Sequence, residues 1–286
     1  MDFTNATVST DVMLRVCDAY QKGEISFGRI VVPASYLCTF VVGLLGNSLV
    51  LGVISYHKTL REKSVANYYI WNLSLADLLF ILTLPFFCYS TLTSDWPFGD
   101  VSCKLATVLY ETNRFSSVFI LTALTLDRYL ASFHNMDHLR ANNTGKAVCV
   151  VIWIACAAIS TPYWIYAEAR PAPGGNHYCS TGDLRYNQLL FRFWTFFQLV
   201  TGLLIPSVII VTSYILLRRR LRMLTSGIHT SSVKRPSAHI TRTVVLVVAI
   251  FLVCNVPDYA GKLWWLILSE TIARNPTFCP SIAQVP

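Results

Sequence analysis

Charged side chains inside long apolar runs are where this sequence offers chemistry. Glu111 and Arg114 lie three residues apart in one such run, and Asp127 and Arg128 stand side by side at its end. Residues three apart on a helix share one side, so Glu111 and Arg114 can form an ion pair. Asp77 lies in the middle of another run, where a carboxylate needs a partner or a proton. If these runs cross a membrane, the charges mark function or the water boundary.

The runs that must position these residues are long enough to cross a membrane. The chain has 286 residues, of which 54% are hydrophobic and only 13% are charged, whereas about a quarter of a soluble domain is charged. About 20 apolar residues cross the roughly 30 Å of hydrocarbon in a bilayer. The sequence therefore predicts an all-α fold, a polytopic transmembrane helical bundle. Its six complete spans, numbered one to six, are 30–56, 67–93, 104–130, 147–165, 189–217 and 240–268.

The spans divide the chain into three parts. Residues 1–29 are predicted to form an extracellular N-terminal tail, and residues 30–268 form the transmembrane bundle with its loops. Residues 269–286 are predicted to be the third extracellular loop and the start of a seventh span. That span would begin near Cys279, and we expect it to be truncated at Pro286.

Loop charge predicts the orientation of the bundle. Twelve Lys and Arg residues lie in the loops on one side and three in the loops on the other. An excess of Lys and Arg marks the cytoplasmic side, so the N-terminus is predicted to be extracellular. The formal charge of +8 is then a topology signal and no indication of nucleic-acid binding. The inner loops are 57–66, 131–146 and 218–242, and the outer loops are 94–103, 166–188 and 269–280.

Cysteines and a glycosylation motif agree with this orientation. Cys17, Cys103, Cys179 and Cys279 all fall outside the spans on the predicted outer side, where oxidising conditions favour disulfides. Four cysteines allow three pairings, and their spacing does not choose among them. Asn5 begins an Asn-Ala-Thr sequon on the same side, and we expect it to be glycosylated.

A series of short motifs follows the spans in order. They are Asn47 in GNSLV, Asp77 in LSLADLLF, WPFG before Cys103, Asp127-Arg128-Tyr129, Trp153, Pro206, Tyr214, Phe251 and Cys254-Asn255-Val256-Pro257. In order and spacing they resemble a class A (rhodopsin-like) G-protein-coupled receptor across almost the whole chain. The resemblance implies a seven-helix receptor fold whose span six swings outward to engage a heterotrimeric G protein. The sequence contains no P-loop, HExxH or GxSxG motif, so we expect a receptor and not an enzyme.

The resemblance assigns a switch to the inner ends of the spans. Asp127 would hold Arg128 at rest and release it towards the G protein, whereas the simpler interpretation is an arginine that snorkels to water. Asn255 departs from the family pattern, which usually has Trp at this position, and the NPxxY motif of span seven is absent. The predicted coupling residues are Asp127, Arg128, Tyr129, Tyr214, Phe251, Asn255 and Pro257.

An allosteric sodium ion is the one bound ion that the resemblance implies, and no other cofactor is expected. Asp77 would bind it together with Asn113 and Ser117, which lie four residues apart and share one face of span three. The alternative is a protonated Asp77 in a polar network between helices.

The resemblance also implies how the outer side is tied together. Cys103 and Cys179 would form a disulfide that fixes the second outer loop, 166–188, to span three. That loop suits a hairpin lid. Cys17 and Cys279 would form a second disulfide, as in chemokine- and angiotensin-type receptors.

Charges in the outer halves of the spans predict the ligand class. At that depth they indicate a water-filled cavity, although each pair could simply neutralise itself. Amine receptors carry Asp where this chain has Tyr110, so a small amine is disfavoured. A cavity with both signs fits an extracellular, neuropeptide-like peptide, and the nearest resemblance is to somatostatin, opioid and allatostatin-C receptors. The predicted ligand-binding residues are Tyr110, Glu111, Arg114, Arg192, Asp258 and Lys262.

Three alternatives stay open from the sequence. One is a chemokine-type receptor, and another is a receptor that binds a ligand without signalling. The third is a transporter or channel, although no internal repeat of the kind transporters show is found. The receptor interpretation predicts a multi-pass plasma-membrane protein whose partners are a peptide, a heterotrimeric G protein and the lipid bilayer.

Overall fold

The computed structural model describes residues 26–57, 65–130, 142–172, 175–181, 188–226, 253, 255–256 and 259–264. Most of these residues are helical, as the apolar runs predict, and the described residues of span six are helical too. The helices of spans one to five are Ser26–Tyr56, Val65–Ile81 with Leu84–Thr93, Gly99–Leu130, Asn142–Tyr166, and Gln188–Leu199 with Ile205–Ser226.

The first five spans are longer than the apolar runs that predicted them. Span three begins at Gly99 rather than at residue 104, and span four at Asn142 rather than at residue 147. The added turn of span three carries Asp100, because a helix continues past the hydrocarbon into the headgroup region and water. Hydropathy thus marks the part of each helix that lies in lipid, and not the helix ends.

Membrane crossing is supported for four of the described spans. The segments long and apolar enough are Ile30–Tyr56, Val65–Thr93, Thr144–Tyr166 and Arg192–Arg219. Span three has the length, but it carries six charged residues, Asp100, Lys104, Glu111, Arg114, Asp127 and Arg128. It packs against spans two, four and five. The two charges in its outer half, Glu111 and Arg114, are nearly buried and are therefore surrounded by protein rather than by lipid, which is where membrane proteins keep such charges.

Span two is interrupted between its two helices by Pro85. The Thr83 N–H donates to Phe80 O at 2.8 Å, a tight turn of three residues, and the Thr83 hydroxyl donates to the same oxygen at 2.7 Å. Proline has no N–H to continue the helical ladder, so the chain must find these other bonds. Phe80 and Phe87, on either side of the break, both line the cavity described below.

Span five contains a wide turn just before Pro206. Val200–Leu204 is a π-helix, and the Ile205 N–H closes it by donating to Val200 O, five residues back. Gly202 within this turn is buried. A Cβ at Gly202 would lie 2.2 Å from the hydroxyl oxygen of Tyr259. Only glycine therefore allows spans five and six to approach this closely.

The main apolar core lies where spans two, three and four meet. Trp153 of span four donates its indole N–H to Asn72 Oδ1 of span two at 3.1 Å, beside this core. Asn72 is buried, so this bond satisfies a polar group that would otherwise be costly. The buried residues of the core are Val65, Tyr69, Phe115, Ile120, Cys149, Ile152 and Cys156.

Candidate functional site

A β-hairpin covers the outer end of the bundle. Strand β1 (Glu168–Pro171) pairs with strand β2 (His177–Ser180) in antiparallel register, with Ala169 opposite Cys179. Cys179 is disulfide-bonded to Cys103 of span three, with their Cα atoms 5.4 Å apart. The predicted hairpin and its disulfide are both confirmed. Apart from these two strands, the described secondary-structure elements are helical, as the all-α prediction expects.

Two carboxylates, one at the start of span three and one in the loop before it, fix the hairpin in place. The Ala169 N–H donates to Asp100 Oδ1 at 2.8 Å, and the His177 N–H donates to Asp95 Oδ1 at 2.7 Å. The Trp96 backbone N–H donates to His177 O at 2.9 Å, and Trp96 is only 1% exposed. Trp96 of the WPFG motif and the carboxylates on either side of the motif thus hold the hairpin in place.

A cavity of about 450 Å³ lies beneath the hairpin, in the size range of ligand pockets. Spans one to four and strand β2 contribute to its wall. Among the described residues that line it, Glu111 is the only one with a charge. Its aromatic lining residues are Tyr36, Phe80, Phe87, Tyr110, Tyr163 and Tyr178.

Glu111 is ion-paired with Arg114, as their spacing predicts. Arg114 Nη2 lies 2.5 Å from Glu111 Oε2, and the two side chains are only 10% and 7% exposed. The Arg114 guanidinium lies 5.0 Å from the Phe115 ring centre and 5.5 Å from that of Tyr259. A cation between two ring faces gains a further attraction where water is excluded.

Hydrogen bonds extend this cluster to spans four, five and six. The Tyr163 hydroxyl accepts from the Trp194 indole N–H at 3.0 Å and from the Gln198 amide. Tyr259 donates its hydroxyl to Gln198 O at 3.0 Å. Lys262 approaches Gln198 Oε1 at 3.4 Å and lies 5.5 Å from the centre of the Tyr259 ring.

The predicted ligand-binding residues are therefore only partly brought together. Tyr110 and Glu111 line the cavity, while Arg114 and Lys262 both lie against Tyr259. Arg192 is partly buried in the outer helix of span five. Asp258 lies outside the described residues, so its predicted pairing with Lys262 stays a prediction.

Three members of the cluster were missed by sequence reasoning: Tyr163, Gln198 and Tyr259. Gln198 carries a usable signal, because an amide within an apolar span needs hydrogen-bond partners. The two tyrosines carry none, because an aromatic residue in a span is equally suited to packing or to the lipid interface.

Asp77 has the partners that the motif predicts. The Asn113 amide donates to Asp77 Oδ1 at 2.8 Å, and the Ser117 hydroxyl donates to the same oxygen at 3.4 Å. Spans two and three are thereby joined at the middle of the bundle.

The acid–base pair at the inner end of span three forms a loose contact. Arg128 Nε lies 3.8 Å from Asp127 Oδ2, and Asp127 is 6% exposed whereas Arg128 is 30% exposed. Tyr129, Tyr214 and Asn255 are partly buried residues of their helices. The other predicted residues, Phe251, Pro257, Asn5, Cys17 and Cys279, lie outside the described residues, as does the predicted seventh span.

Comparisons with known proteins agree with the motifs. A family model for the seven-transmembrane receptors of the rhodopsin family matches residues 46–282. Melanin-concentrating hormone receptor 1 of Sus scrofa is 31% identical over 254 residues, which are 87% of this chain and 72% of that receptor. The Homo sapiens receptor of that name is 30% identical over the same length. Somatostatin receptor type 2 of Mus musculus is 32% identical over 246 residues, 85% of this chain and 64% of that receptor.

The chain belongs to the rhodopsin family of seven-transmembrane receptors. It is a G-protein-coupled receptor of the peptide-receptor branch and a multi-pass membrane protein, and not an enzyme. The resemblance to somatostatin receptors drawn from the motifs is confirmed.

Proposed function

We propose that this receptor binds an extracellular peptide in the cavity beneath the hairpin, with its N-terminus outside, and passes the signal to a heterotrimeric G protein. The observation that supports this most is the buried cluster at the inner wall of the cavity. Glu111 joins the cavity to Arg114, and Arg114 contacts Tyr259 of span six. A ligand at Glu111 would thus act, through one side chain, on the span that the family moves during activation.

A peptide fits the site better than a small amine does. The cavity opens under a hairpin whose described residues include Glu168 and Arg170, an ion pair with 2.5 Å between Nε and Oε1. Charges of both signs on the lid and in the cluster suit a ligand that itself carries both signs. The relatives compared are receptors named for melanin-concentrating hormone and somatostatin, and these two hormones are natural first probes.

Coupling is assigned to span six and to the inner ends of spans three and five. Asp127 and Arg128 would separate when span six moves, and the other proposed coupling residues are Tyr129, Tyr214, Phe251, Asn255 and Pro257. The contact is 3.8 Å long and Arg128 is 30% exposed, so water can replace Asp127 as the partner of Arg128 at a cost of about 1 kcal/mol. A pair of this kind suits a switch better than a rigid support.

A sodium ion at Asp77 is the proposed allosteric ligand. Asp77 offers a carboxylate, Ser117 a hydroxyl oxygen and Asn113 an amide oxygen, since its nitrogen is the atom that donates to Asp77. Oxygen donors around one negative charge fit a hard monovalent cation. The ion would supply a charge that neutralises Asp77 within the bundle.

Sodium binding can be tested without a signalling assay. Replacing choline chloride by sodium chloride at constant ionic strength should raise the melting temperature of the purified receptor, because a ligand of the folded state stabilises it. Asp77→Asn should abolish the difference between the two salts. A sodium effect that persists in Asp77→Asn would place the ion elsewhere.

The receptor function is tested by nucleotide exchange. Membranes from cells that express the receptor with a G protein are given melanin-concentrating hormone, somatostatin and a library of neuropeptides. A peptide that raises exchange above the level in membranes without the receptor supports the proposal. Cys103→Ser, which releases the hairpin from span three, should weaken the response to that peptide. If no peptide in the library alters exchange, the proposed ligand class is wrong.

A further inference from the structure

Gln198 of span five is bonded both to the wall of the cavity and to span six. Its side-chain amide nitrogen donates to the hydroxyl of Tyr163, which lines the cavity. Its amide oxygen lies 3.4 Å from the ammonium nitrogen of Lys262, and its backbone oxygen accepts from the Tyr259 hydroxyl at 3.0 Å. Gln198 is only 2% exposed, so these groups replace water as the partners of its polar atoms.

The chemistry of its neighbours fixes which way the amide of Gln198 points. An ammonium group donates hydrogen bonds and accepts none, so the amide oxygen of Gln198 must face Lys262. The amide nitrogen is then left for the Tyr163 hydroxyl, which also accepts from the Trp194 indole N–H at 3.0 Å. The side chain of Gln198 therefore connects span four to span six, with a defined donor at one end and a defined acceptor at the other.

The shape of span five lets span six reach the backbone of Gln198 as well. The π-helical turn Val200–Leu204 begins two residues after Gln198, and Gly202 within it carries no side chain. The hydroxyl of Tyr259 lies in the space that a Cβ at Gly202 would fill, and from there it donates to Gln198 O. Span six therefore cannot move away from span five without lengthening two contacts with the same residue.

This connection differs from the one through Arg114. Arg114 contacts the Tyr259 ring from span three and is paired with Glu111, whereas Gln198 begins from Tyr163 on span four. Because Tyr163 lines the cavity, a ligand that displaces Tyr163 also displaces the hydroxyl that Gln198 holds. Coupling between separated sites is carried by such contiguous contacts when one of the elements they join has two arrangements. Span six, which the family moves during activation, is that element.

We propose that Gln198 is a positioning residue of this receptor, which transmits a displacement of the cavity wall at Tyr163 to span six. This deepens the proposed function and rests on it for the ligand that causes the displacement. The ligand group concerned is one that fills the cavity beside Tyr163, whatever its charge. Gln198 need not touch that group, because it acts through the Tyr163 hydroxyl.

The test asks whether a change at Tyr163 is felt in span six only while the amide of Gln198 is intact. Backbone amide hydrogen exchange of residues 259–264 is measured by mass spectrometry on the purified receptor without any ligand. Tyr163→Phe removes the hydroxyl and keeps the ring, and it should speed exchange of this segment about fivefold, the scale of one neutral hydrogen bond. In a Gln198→Met background, whose side chain has a similar length but no amide, Tyr163→Phe should change the rate at most about twofold.

A second background controls for a general loosening of span five. Thr201→Val is the matched variant, since the Thr201 hydroxyl donates to Phe197 O of its own span at 2.7 Å. The effect of Tyr163→Phe should persist at full size in this background. If Gln198→Met does not fold, Lys262→Met breaks the side-chain connection at its other end and should reduce the effect of Tyr163→Phe to the same low level.

Two results would overturn the inference. One is unchanged exchange of residues 259–264 in Tyr163→Phe, and the other is an effect of equal size with and without the Gln198 amide. Either would leave Gln198 as a buried residue that only stabilises span five. Neither would touch the peptide-dependent nucleotide exchange that tests the proposed function, and failure of that test would leave this ligand-free measurement intact. The two failures can therefore be told apart.

Discussion

Span three carries two acid–arginine pairs, one in its outer half and one at its inner end, and they differ in the length of the contact and in the exposure of the arginine. The outer pair, Glu111 and Arg114, is 2.5 Å long with both side chains nearly buried, and its arginine lies against two rings. The inner pair, Asp127 and Arg128, is 3.8 Å long and its arginine is 30% exposed. Both acids are buried, at 7% and 6% exposed, so the contrast lies in the arginine, which water reaches only in the inner pair.

The difference in contact length and in arginine exposure determines how easily each pair can separate. Breaking a buried pair leaves a charge in a poorly solvated place, which costs about 3–5 kcal/mol. A long contact to an arginine that water reaches is worth less, about 1 kcal/mol, because water replaces the carboxylate as its partner. The outer pair is therefore suited to hold a fixed recognition surface, and the inner pair to open and close.

The largest expected effect comes from breaking the outer pair. Arg114→Ala leaves Glu111 buried without its cation and removes the contacts with Phe115 and Tyr259. We expect a loss of about 3–5 kcal/mol in stability, measured as thermal unfolding of the purified receptor. The matched control is Arg170→Ala, which breaks the more exposed pair with Glu168 and should cost at most about 1 kcal/mol. Equal losses in the two variants would contradict the contrast between buried and exposed pairs.

A smaller effect is expected from adding a side chain at Gly202, where spans five and six approach each other closely. Gly202→Ala places a Cβ 2.2 Å from the Tyr259 hydroxyl oxygen, so Tyr259 must move away from Gln198 and Arg114. Overpacking of this kind typically costs about 1–3 kcal/mol. Thermal unfolding would measure it, with Gly52→Ala as control, since an added Cβ there meets nothing within 4 Å. If Gly202→Ala is as stable as Gly52→Ala, spans five and six do not lie as close as described.

Asn255 lies on span six, at a level between the outer and the inner ion pair. Replacing this partly buried Asn by Trp fills space and removes an amide. A change in packing of about 1 kcal/mol shifts the balance of resting and active states roughly fivefold. Asn255→Trp should therefore change basal nucleotide exchange more than it changes peptide affinity, at matched surface expression. Identical basal exchange in both proteins would show that Asn255 is ordinary packing.

The smallest effect on stability is expected at the inner pair. Arg128→Ala also leaves a buried acid, Asp127, but the contact it removes is 3.8 Å long and its arginine is partly exposed, so thermal unfolding should change by only about 1 kcal/mol. A destabilisation as large as that of Arg114→Ala would mean that the inner pair supports the fold, and the proposed switch would lose its physical basis.

Much of this architecture can be predicted from the sequence, because its signals are local. Apolar runs predict the spans, and the three-residue spacing of Glu111 and Arg114 predicts their pairing. The Cys103–Cys179 disulfide needed the family resemblance, since spacing left three pairings open. The contact of Arg114 with Tyr259 could not be predicted. It depends on the π-helical turn at Val200–Leu204 and on the missing side chain of Gly202, which act together only in the packed bundle.

The central claim is that the outer pair serves recognition and the inner pair serves coupling. The most direct test is peptide-stimulated nucleotide exchange by Arg128→Ala, measured at matched surface expression beside binding of the same peptide. The account predicts that exchange is lost while peptide affinity stays close to that of the unmodified receptor, because Arg128 is at the opposite end of span three from the cavity. Unchanged exchange in Arg128→Ala would contradict the account and would leave Arg128 as an arginine that merely reaches water.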